Sequence, residues 1–274
     1  MEEMFNNPLK LLYNISMKLT VLPEKTGLKK LKTSYTAAVV LDILRATTTI
    51  TTALENGCRG VIPVSGVDEA RQLAGSNPNL LLGGERSAVK VPGFHLGNSP
   101  LEYSAGTVRG KVVVLTTTNG TGAIKLAAQK AGTVLIGCLL NARAVAEKLL
   151  NFNGQILLLC AGTGGNFSLE DTLAAGWIIK EFLALKNIDQ YSGTAAAELH
   201  RQADDVYNGV IMDDMAVACY RLALYYNNKT LDALYDSLHG QKLAQLNMYR
   251  DLIYCSKLNT SSIVPIYRDG IITI

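Results

Sequence analysis

Histidine and cysteine are scarce in this 274-residue sequence, and neither is clustered. The three histidines (His95, His200, His239) stand far apart, so a zinc or copper site has poor support. The five cysteines (Cys58, Cys138, Cys160, Cys219, Cys255) are odd in number and contain no Cys-x-x-Cys pair. They read as thiols of a reducing compartment, not as a disulfide framework. Charge is also sparse, at 18% of residues with a formal net charge of +3. With no Lys/Arg-rich stripe, no nucleic-acid partner is expected. The longest uncharged stretch, Leu149 to Leu169, carries Asn, Gln and Gly that make it a strand followed by a loop. No membrane partner is expected either. Solenoid repeats and low-complexity tracts are missing, and 48% apolar content excludes disorder.

At the N-terminus Glu2 and Glu3 stand where a secretory signal has Lys or Arg, and the apolar run at Leu11, Leu12 and Ile15 is broken by Asn14. The expectation is an unprocessed cytoplasmic start, with Met17 as a candidate initiator and residues 1–17 as an extension.

What is present alternates. Apolar runs at Ala37–Leu41, Val61–Val64, Leu80–Leu82, Lys111–Leu115, Thr133–Ile136 and Gln155–Leu159 suit strands buried on both faces. Between them, helical patterns run over Thr48–Asn56, Val67–Leu73, Thr121–Ala131, Ala142–Leu150 and Leu169–Lys186. The alternation predicts an α/β fold, a three-layer α/β/α arrangement with a mainly parallel or mixed sheet over residues 18–189. Composition shifts near residue 190: twenty of 24 glycines precede it and nine of 12 tyrosines follow it. Residues 190–274 are therefore expected to be mostly helical and packed on the sheet, ending in a strand pair, Ile263–Tyr267 and Ile271–Ile274, about the turn Asp269-Gly270. The tyrosine enrichment predicts a homo-oligomer, a dimer, through this helical part.

In a parallel sheet the strand C-termini share one edge, where ligands bind. The first loop there supplies Asp42, Arg45 and a threonine cluster. Another supplies Glu85, Arg86, Lys90, His95, Asn98 and Ser99. Two more, built of Gly, Thr and Asn before helices, supply Thr117, Thr118, Asn119, Gly120 and Thr121, then Thr163, Gly164, Gly165, Ser168, Glu170 and Asp171. Backbone N–H groups at such helix starts bind anions, and Arg45 and Arg86 can clamp an oxyanion bidentately. The carboxylates Asp42, Glu85, Glu170 and Asp171 would repel the same anion unless a divalent cation lay between, and all-oxygen ligation fits Mg²⁺. A P-loop is missing, the run at Gly162–Phe167 lacks the last glycine of a dinucleotide fingerprint, and no Arg follows Cys160 as a thiol phosphatase requires.

Each residue also has a plainer reading. Asp171 follows Ser168 at capping-box spacing, Glu170 can complement a helix dipole, and Asn119-Gly120 can be a turn. Thr47 to Thr52 can pack beneath the sheet, Asp213 and Asp214 form an acidic first turn, and His200 and His239 read as satisfied histidines.

The segments LDILRATTTI, GGER, GFHLGNSP, TTTNGT, CAGTGGNFSLEDTLAAG and SLHG, in this order and spacing, resemble the 2-phosphosulfolactate phosphatase family from about Lys18 to the C-terminus. The resemblance implies a Mg²⁺-dependent hydrolase that converts (2R)-2-phospho-3-sulfolactate to 3-sulfolactate and phosphate, a step of coenzyme M biosynthesis. It carries over Asp42, Arg45, Glu85, Arg86, Asn98, Asn119, Thr121, Glu170 and Asp171. The chain departs from the family's usual pattern at Ser87-Ala88, where Gly-Gly is usual, at His95, where Asp is usual, and at Gly122, often basic; these bear on substrate more than on chemistry. The expected roles are Asp42, Arg45 and Asp171 in catalysis. Arg45, Arg86, Asn98, Ser99, Thr118, Asn119, Gly120, Thr121, Thr163 and Gly164 would bind substrate. Asp42, Glu85, Glu170 and Asp171 would be the ligands of Mg²⁺. Either a carboxylate activates water or Asp42 attacks phosphorus itself. A different small phosphorylated acid as substrate, or a non-catalytic anion-binding relative, are the other readings.

Overall fold

A computed structural model describes residues 17–75, 77, 79–188 and 209–274. Of the expected extension over 1–17 only Met17, the first residue of a strand, is described; His200 and the compositional boundary near 190 lie outside the described residues. The first half alternates: β1 (Met17–Leu22), β2 (Tyr35–Leu41), α1 (Ala46–Glu55), β3 (Gly60–Pro63), α2 (Val67–Gly75), β4 (Leu80–Arg86), β5 (Val89–Lys90), α3 (Ala105–Val108), β6 (Val112–Thr116), α4 (Gly120–Ala128), β7 (Ala131–Gly137), α5 (Ala142–Leu149), β8 (Gly154–Cys160) and α6 (Leu169–Leu185). Strands β2, β3, β4, β6, β7 and β8 fall on the predicted apolar runs, with β1, β5 and α3 outside the predicted elements. The second half holds β9 (Val210–Met212), four helices, α7 (Asp214–Tyr226), α8 (Thr230–Asp236), α9 (Leu238–Gln245) and α10 (Tyr249–Cys255), and the hairpin β10 (Ile266–Arg268) and β11 (Ile271–Thr273). No helix among the described residues is long and apolar enough to cross a membrane.

The continuous apolar runs are explained by burial on both faces. Val39, Ile156 and Leu158 point into one core with Trp177, Phe182 and Tyr220 of α6 and α7. Their neighbours Ala38, Val40, Leu157 and Leu159 point into a second core with Ile50 of α1 and Ile124 of α4. This period-2 division makes the three layers. The hairpin turn is as expected, with Asp269 and Gly270 both at positive φ (50° and 90°), the conformation of a two-residue type I′ turn.

Eleven strands form the sheet in the order β5-β4-β6-β3-β11-β10-β7-β2-β8-β1-β9. The strand pair expected at the chain's end does not cap an edge; it sits mid-sheet between two parallel blocks. Its three antiparallel pairings, β3 with β11, β11 with β10 and β10 with β7, leave the block β4-β6-β3 opposed in hydrogen-bonding direction to the block β7-β2-β8-β1-β9. A single parallel edge therefore does not gather the loops. Residues at the C-terminal ends of both blocks nonetheless meet, since Asp42 after β2, Thr163 after β8, Glu85 of β4 and Thr118 after β6 line one cavity.

Helices α6 and α7 pack so closely that a Cβ built on Gly176 would lie 1.9 Å from the carbonyl oxygen of Cys219. Backbone cannot yield there as a flexible side chain could. Gly176→Ala is therefore expected to force the helices apart and destabilise the protein by about 1 to 3 kcal/mol, measured by chemical denaturation; unchanged stability would refute the close packing.

Candidate active site

The loop from β2 to α1 is fastened by threonines. Thr47 Oγ1 accepts the N–H of Asp42 (3.1 Å), Thr48 Oγ1 donates to the Ile43 carbonyl (2.9 Å) and Thr49 Oγ1 donates to the Asn98 carbonyl (2.8 Å). The buried cluster thus fixes Asp42 and ties it to the loop bearing Asn98. Glycines provide clearance. A Cβ on Gly120, first residue of α4, would lie 2.7 Å from Asp42 Oδ2 and 2.6 Å from the Ala46 Cβ. In the GGER segment a Cβ on Gly83 would meet the Tyr103 hydroxyl at 2.3 Å, and one on Gly84 the Thr116 carbonyl at 2.2 Å. Glu85 is thereby brought against β6, where its carboxylate accepts the N–H and hydroxyl of Thr118 (2.8 and 2.9 Å) and the N–H of Ala88 (2.7 Å).

One cavity of about 370 Å³ collects these ends. Asp42, Leu44, Arg45, Glu85, Ser87, Ala88, Asn98, Thr118, Asn119, Thr163 and Gly164 line it, with Leu238, His239 and Lys242 of α9. Eight of the expected site residues meet there: Asp42, Arg45, Glu85, Asn98, Thr118, Asn119, Thr163 and Gly164.

Arg45 faces the cavity with its guanidinium already engaged. It forms a buried ion pair with Asp251 of α10 and donates to the Ala88 carbonyl (2.7 Å) and the Met248 sulfur (3.1 Å). Asp251 also accepts the hydroxyl of Ser99 (2.6 Å), so Ser99 serves this pair behind the cavity wall. Arg86 is outside the lining; it donates to the Glu85 carbonyl and to Thr116 Oγ1, bracing β4 on β6. Gly120 adjoins Asp42 without lining the cavity, and Thr121 exchanges bonds with Thr117 at the start of α4. His95 lies outside too, its Nδ1 accepting the N–H of Leu82.

Asp171 and Glu170 stand behind the cavity. Ser168 caps α6 by accepting the Asp171 N–H (3.4 Å), while the Asp171 carboxylate reaches the N–H groups of Ile43 (2.9 Å) and Gly162 (3.3 Å). It therefore joins the Asp42 loop to the β8 loop. Glu170, 3% exposed at its side chain, pairs with Nδ1 of His239 at 3.5 Å.

Three residues outside the expected set belong to the site. His239 and Lys242 reach it from the SLHG segment, whose resemblance was noted but whose histidine was read as structural. Lys25, in a 3-10 turn after β1, donates to the Asn119 carbonyl (3.1 Å) and Oδ1 (3.2 Å). No spacing signal connects residue 25 to residue 119; only the sheet order does.

The acids oppose one another. Burial raises the Asp42 carboxyl to about 6, helped by the Glu85 charge and resisted by His239, the Ala46 N–H and Lys25. Burial likewise holds Asp171 well above the usual range, with Glu170 and Asp42 adding repulsion. A hard divalent cation fits the donors: the carboxylate of Asp42, that of Glu85, and Oδ1 of Asn98, which is buried without a hydrogen-bond partner. Among the described residues no three His, Cys, Asp or Glu side chains form a closed metal cage. Mg²⁺ is usually held by one or two carboxylates plus water and substrate oxygens, so an open set of this kind suits it.

Comparison with known proteins places this arrangement. Residues 21–270 match the profile of the family described as 2-phosphosulpholactate phosphatase. A protein of Symbiobacterium thermophilum named probable 2-phosphosulfolactate phosphatase is 43% identical over 235 residues, covering 85% of this chain and 91% of that protein. Proteins of the same name from Carboxydothermus hydrogenoformans and Clostridium tetani are 42% and 38% identical, over 91% and 93% of this chain and 92% and 100% of theirs.

The raised Asp42 has a consequence for stability. Its folded-state value lies above the unfolded one, so ionisation opposes folding: the penalty is absent when both states are protonated and full above about pH 6. In metal-free protein Asp42→Asn is expected to raise stability at pH 8 by on the order of 2 kcal/mol, the gain fading as pH falls from 6 to 4. Denaturation series at pH 8 and pH 4 check it, and a variant less stable than wild type at pH 8 contradicts it.

Proposed function

The chain belongs to the 2-phosphosulfolactate phosphatase family and is thereby a phosphoric monoester hydrolase; from that premise we propose that it hydrolyses (2R)-2-phospho-3-sulfolactate to 3-sulfolactate and phosphate with Mg²⁺, as a cytoplasmic step of coenzyme M biosynthesis. The supporting observation is one cavity lined by the buried Asp42 and by Asn98, whose Oδ1 has no hydrogen-bond partner among the described residues, together with the loops bearing Asn119 and Gly164.

Asp42, Glu85 and Asn98 Oδ1 would hold the ion, which when bound supplies positive charge to the phosphoryl oxygens. Asn119 and Gly164 line the cavity and their backbone amides would serve those oxygens, whereas the amides of Thr118 and Thr163 already serve Glu85 and Asn166. Lys25 fixes the Asn119 loop. Arg45, pinned by Asp251, offers a fixed edge of positive charge instead of a mobile clamp. Asp171 positions the Asp42 loop and is assigned no contact with substrate. Asp42 is the carboxylate nearest the reacting centre, either as nucleophile or as the base for water.

Metal-dependent phosphate release from phosphosulfolactate is expected to fall by roughly 10³-fold or more in Asp42→Asn. Turnover across a panel of small phosphorylated acids, with phosphosulfolactate no better than the rest, would discard the substrate assignment, and release indifferent to chelation would discard the metal. Trapping with a phosphoryl analogue separates the two routes: a bond to Asp42 identifies the nucleophile, and an intervening water identifies the base.

A homodimer belongs to the same proposal, with exposed Tyr225, Tyr235 and Tyr249 on the C-terminal helices as its supporting feature. Sedimentation equilibrium should give twice the chain mass, and a strictly monomeric mass ends that part.

A further inference from the structure

We infer that Lys242, one helical turn beyond His239 on α9, recognises the sulfonate end of the substrate and sets the enzyme's preference for sulfonated esters. This inference rests on the phosphatase reading of the cavity.

The cavity is lined by both acidic and basic groups. Asp42 and Glu85, from the ends of β2 and β4, repel an organic anion unless a cation intervenes. The basic side chains of the lining are Arg45, His239 and Lys242. Arg45 is committed to Asp251, Ala88 and Met248. His239 is engaged at Nδ1 by Glu170. Lys242 has no ion pair and no side-chain hydrogen bond among the described residues, and it is exposed at the cavity's rim. Its ammonium is thus a lining charge without a partner among the described residues.

The helix that carries it is held rigidly. Ser237 Oγ accepts the N–H of Gly240 (2.9 Å) and donates to the Leu234 carbonyl (2.9 Å). A Cβ on Gly240 would lie 1.7 Å from that same carbonyl oxygen. The corner between α8 and α9 therefore fixes which face of α9 meets the cavity, and the i, i+3 spacing places His239 and Lys242 on that face together.

An ester whose phosphate lay by Asp42 and Glu85 would find in Lys242 of α9 a positive charge for its second anion. In 2-phospho-3-sulfolactate the sulfonate is the acid group farther from phosphorus by one bond, which matches the rim position of a long lysine. Sulfonate remains ionised at every working pH and presents three oxygens, a suitable partner for a compact ammonium.

The test compares phosphosulfolactate with 2-phospholactate, which differs by lacking the sulfonate. In Lys242→Met the ratio of kcat/KM for the sulfonated ester over 2-phospholactate should fall roughly tenfold or more, mostly through KM, and Lys242→Arg should recover most of it. An unchanged ratio in Lys242→Met overturns the inference, whatever happens to the individual rates. Calorimetric binding of 3-sulfolactate to wild type and Lys242→Met separates this from the phosphatase reading. If neither ester is hydrolysed but 3-sulfolactate binds and loses affinity in Lys242→Met, the phosphatase reading fails and the sulfonate contact stands. Binding that is absent, or equal in both proteins, overturns the contact.

Discussion

A carboxylate placed where its charge is unwelcome governs the architecture of this protein. Asp42 is buried, faces Glu85 and lies near Asp171, and all three circumstances favour its neutral form. The surroundings compensate only in part. Lys25 and His239 lend positive charge from elements far apart in sequence, and the Ala46 N–H donates to it. The same position dictates local sequence. Only glycine at 120 leaves room for Asp42 Oδ2 beneath the start of α4, and the threonines of α1 satisfy the loop backbone that no water reaches. The field that raises the Asp42 carboxyl is one that a divalent ion would relieve.

The C-terminal helices are part of the same construction. Arg45 is buried at the cavity wall, and its partner Asp251 comes from α10, more than two hundred residues away. A buried pair of this kind adds little net stability, but losing one member strands the other charge at a cost of about 3 to 5 kcal/mol. The helical region and the β2–α1 loop are consequently locked together, and α9 is carried to the cavity beside them. The central position of the β10–β11 hairpin works in the same sense, because the last strands join the two parallel blocks. A chain whose final residues stitch the middle of its sheet cannot form the site until its C-terminal part is in place.

Much of this was legible in the sequence. Apolar runs located the main strands, Asp-Gly located the final turn, and loops after β2, β4, β6 and β8 delivered eight of the expected residues to one cavity. Strands β1, β5 and β9 were not legible: β5 and β9 are two or three residues long and carry no period, and the apolar run of β1 is interrupted by Lys18 and Thr20. The sense of the sheet was not legible either: alternation predicts parallel crossovers but says nothing of a hairpin inserted between blocks. Arginine illustrates the limit more sharply. Arg45 and Arg86 both have the chemistry of an oxyanion clamp, yet one is pinned by Asp251 and the other braces β4 on Thr116. Residue type records what a side chain can bind, whereas partners supplied by distant elements decide what it does bind. Lys25, His239 and Lys242 are the converse, ordinary in sequence and brought to the site by topology.

The unsatisfied groups distinguish an enzyme from a relic of one. A protein that needed only to fold would gain from pairing Asn98 Oδ1, since a buried acceptor without a donor costs about 1 to 3 kcal/mol. It would gain again from glycine at Ser87 and Ala88, both in the left-handed region (φ 54° and 74°), where each side chain carries roughly 1 to 2 kcal/mol of strain. All three positions line the cavity that also holds the raised Asp42. The Ser87-Ala88 turn does more than endure its strain, because it aims the Ala88 N–H at Glu85 and the Ala88 carbonyl at Arg45. Strain, an orphaned acceptor and a reluctant carboxylate concentrated in one cavity are the features expected of a site whose energy is recovered when ligand and cation arrive.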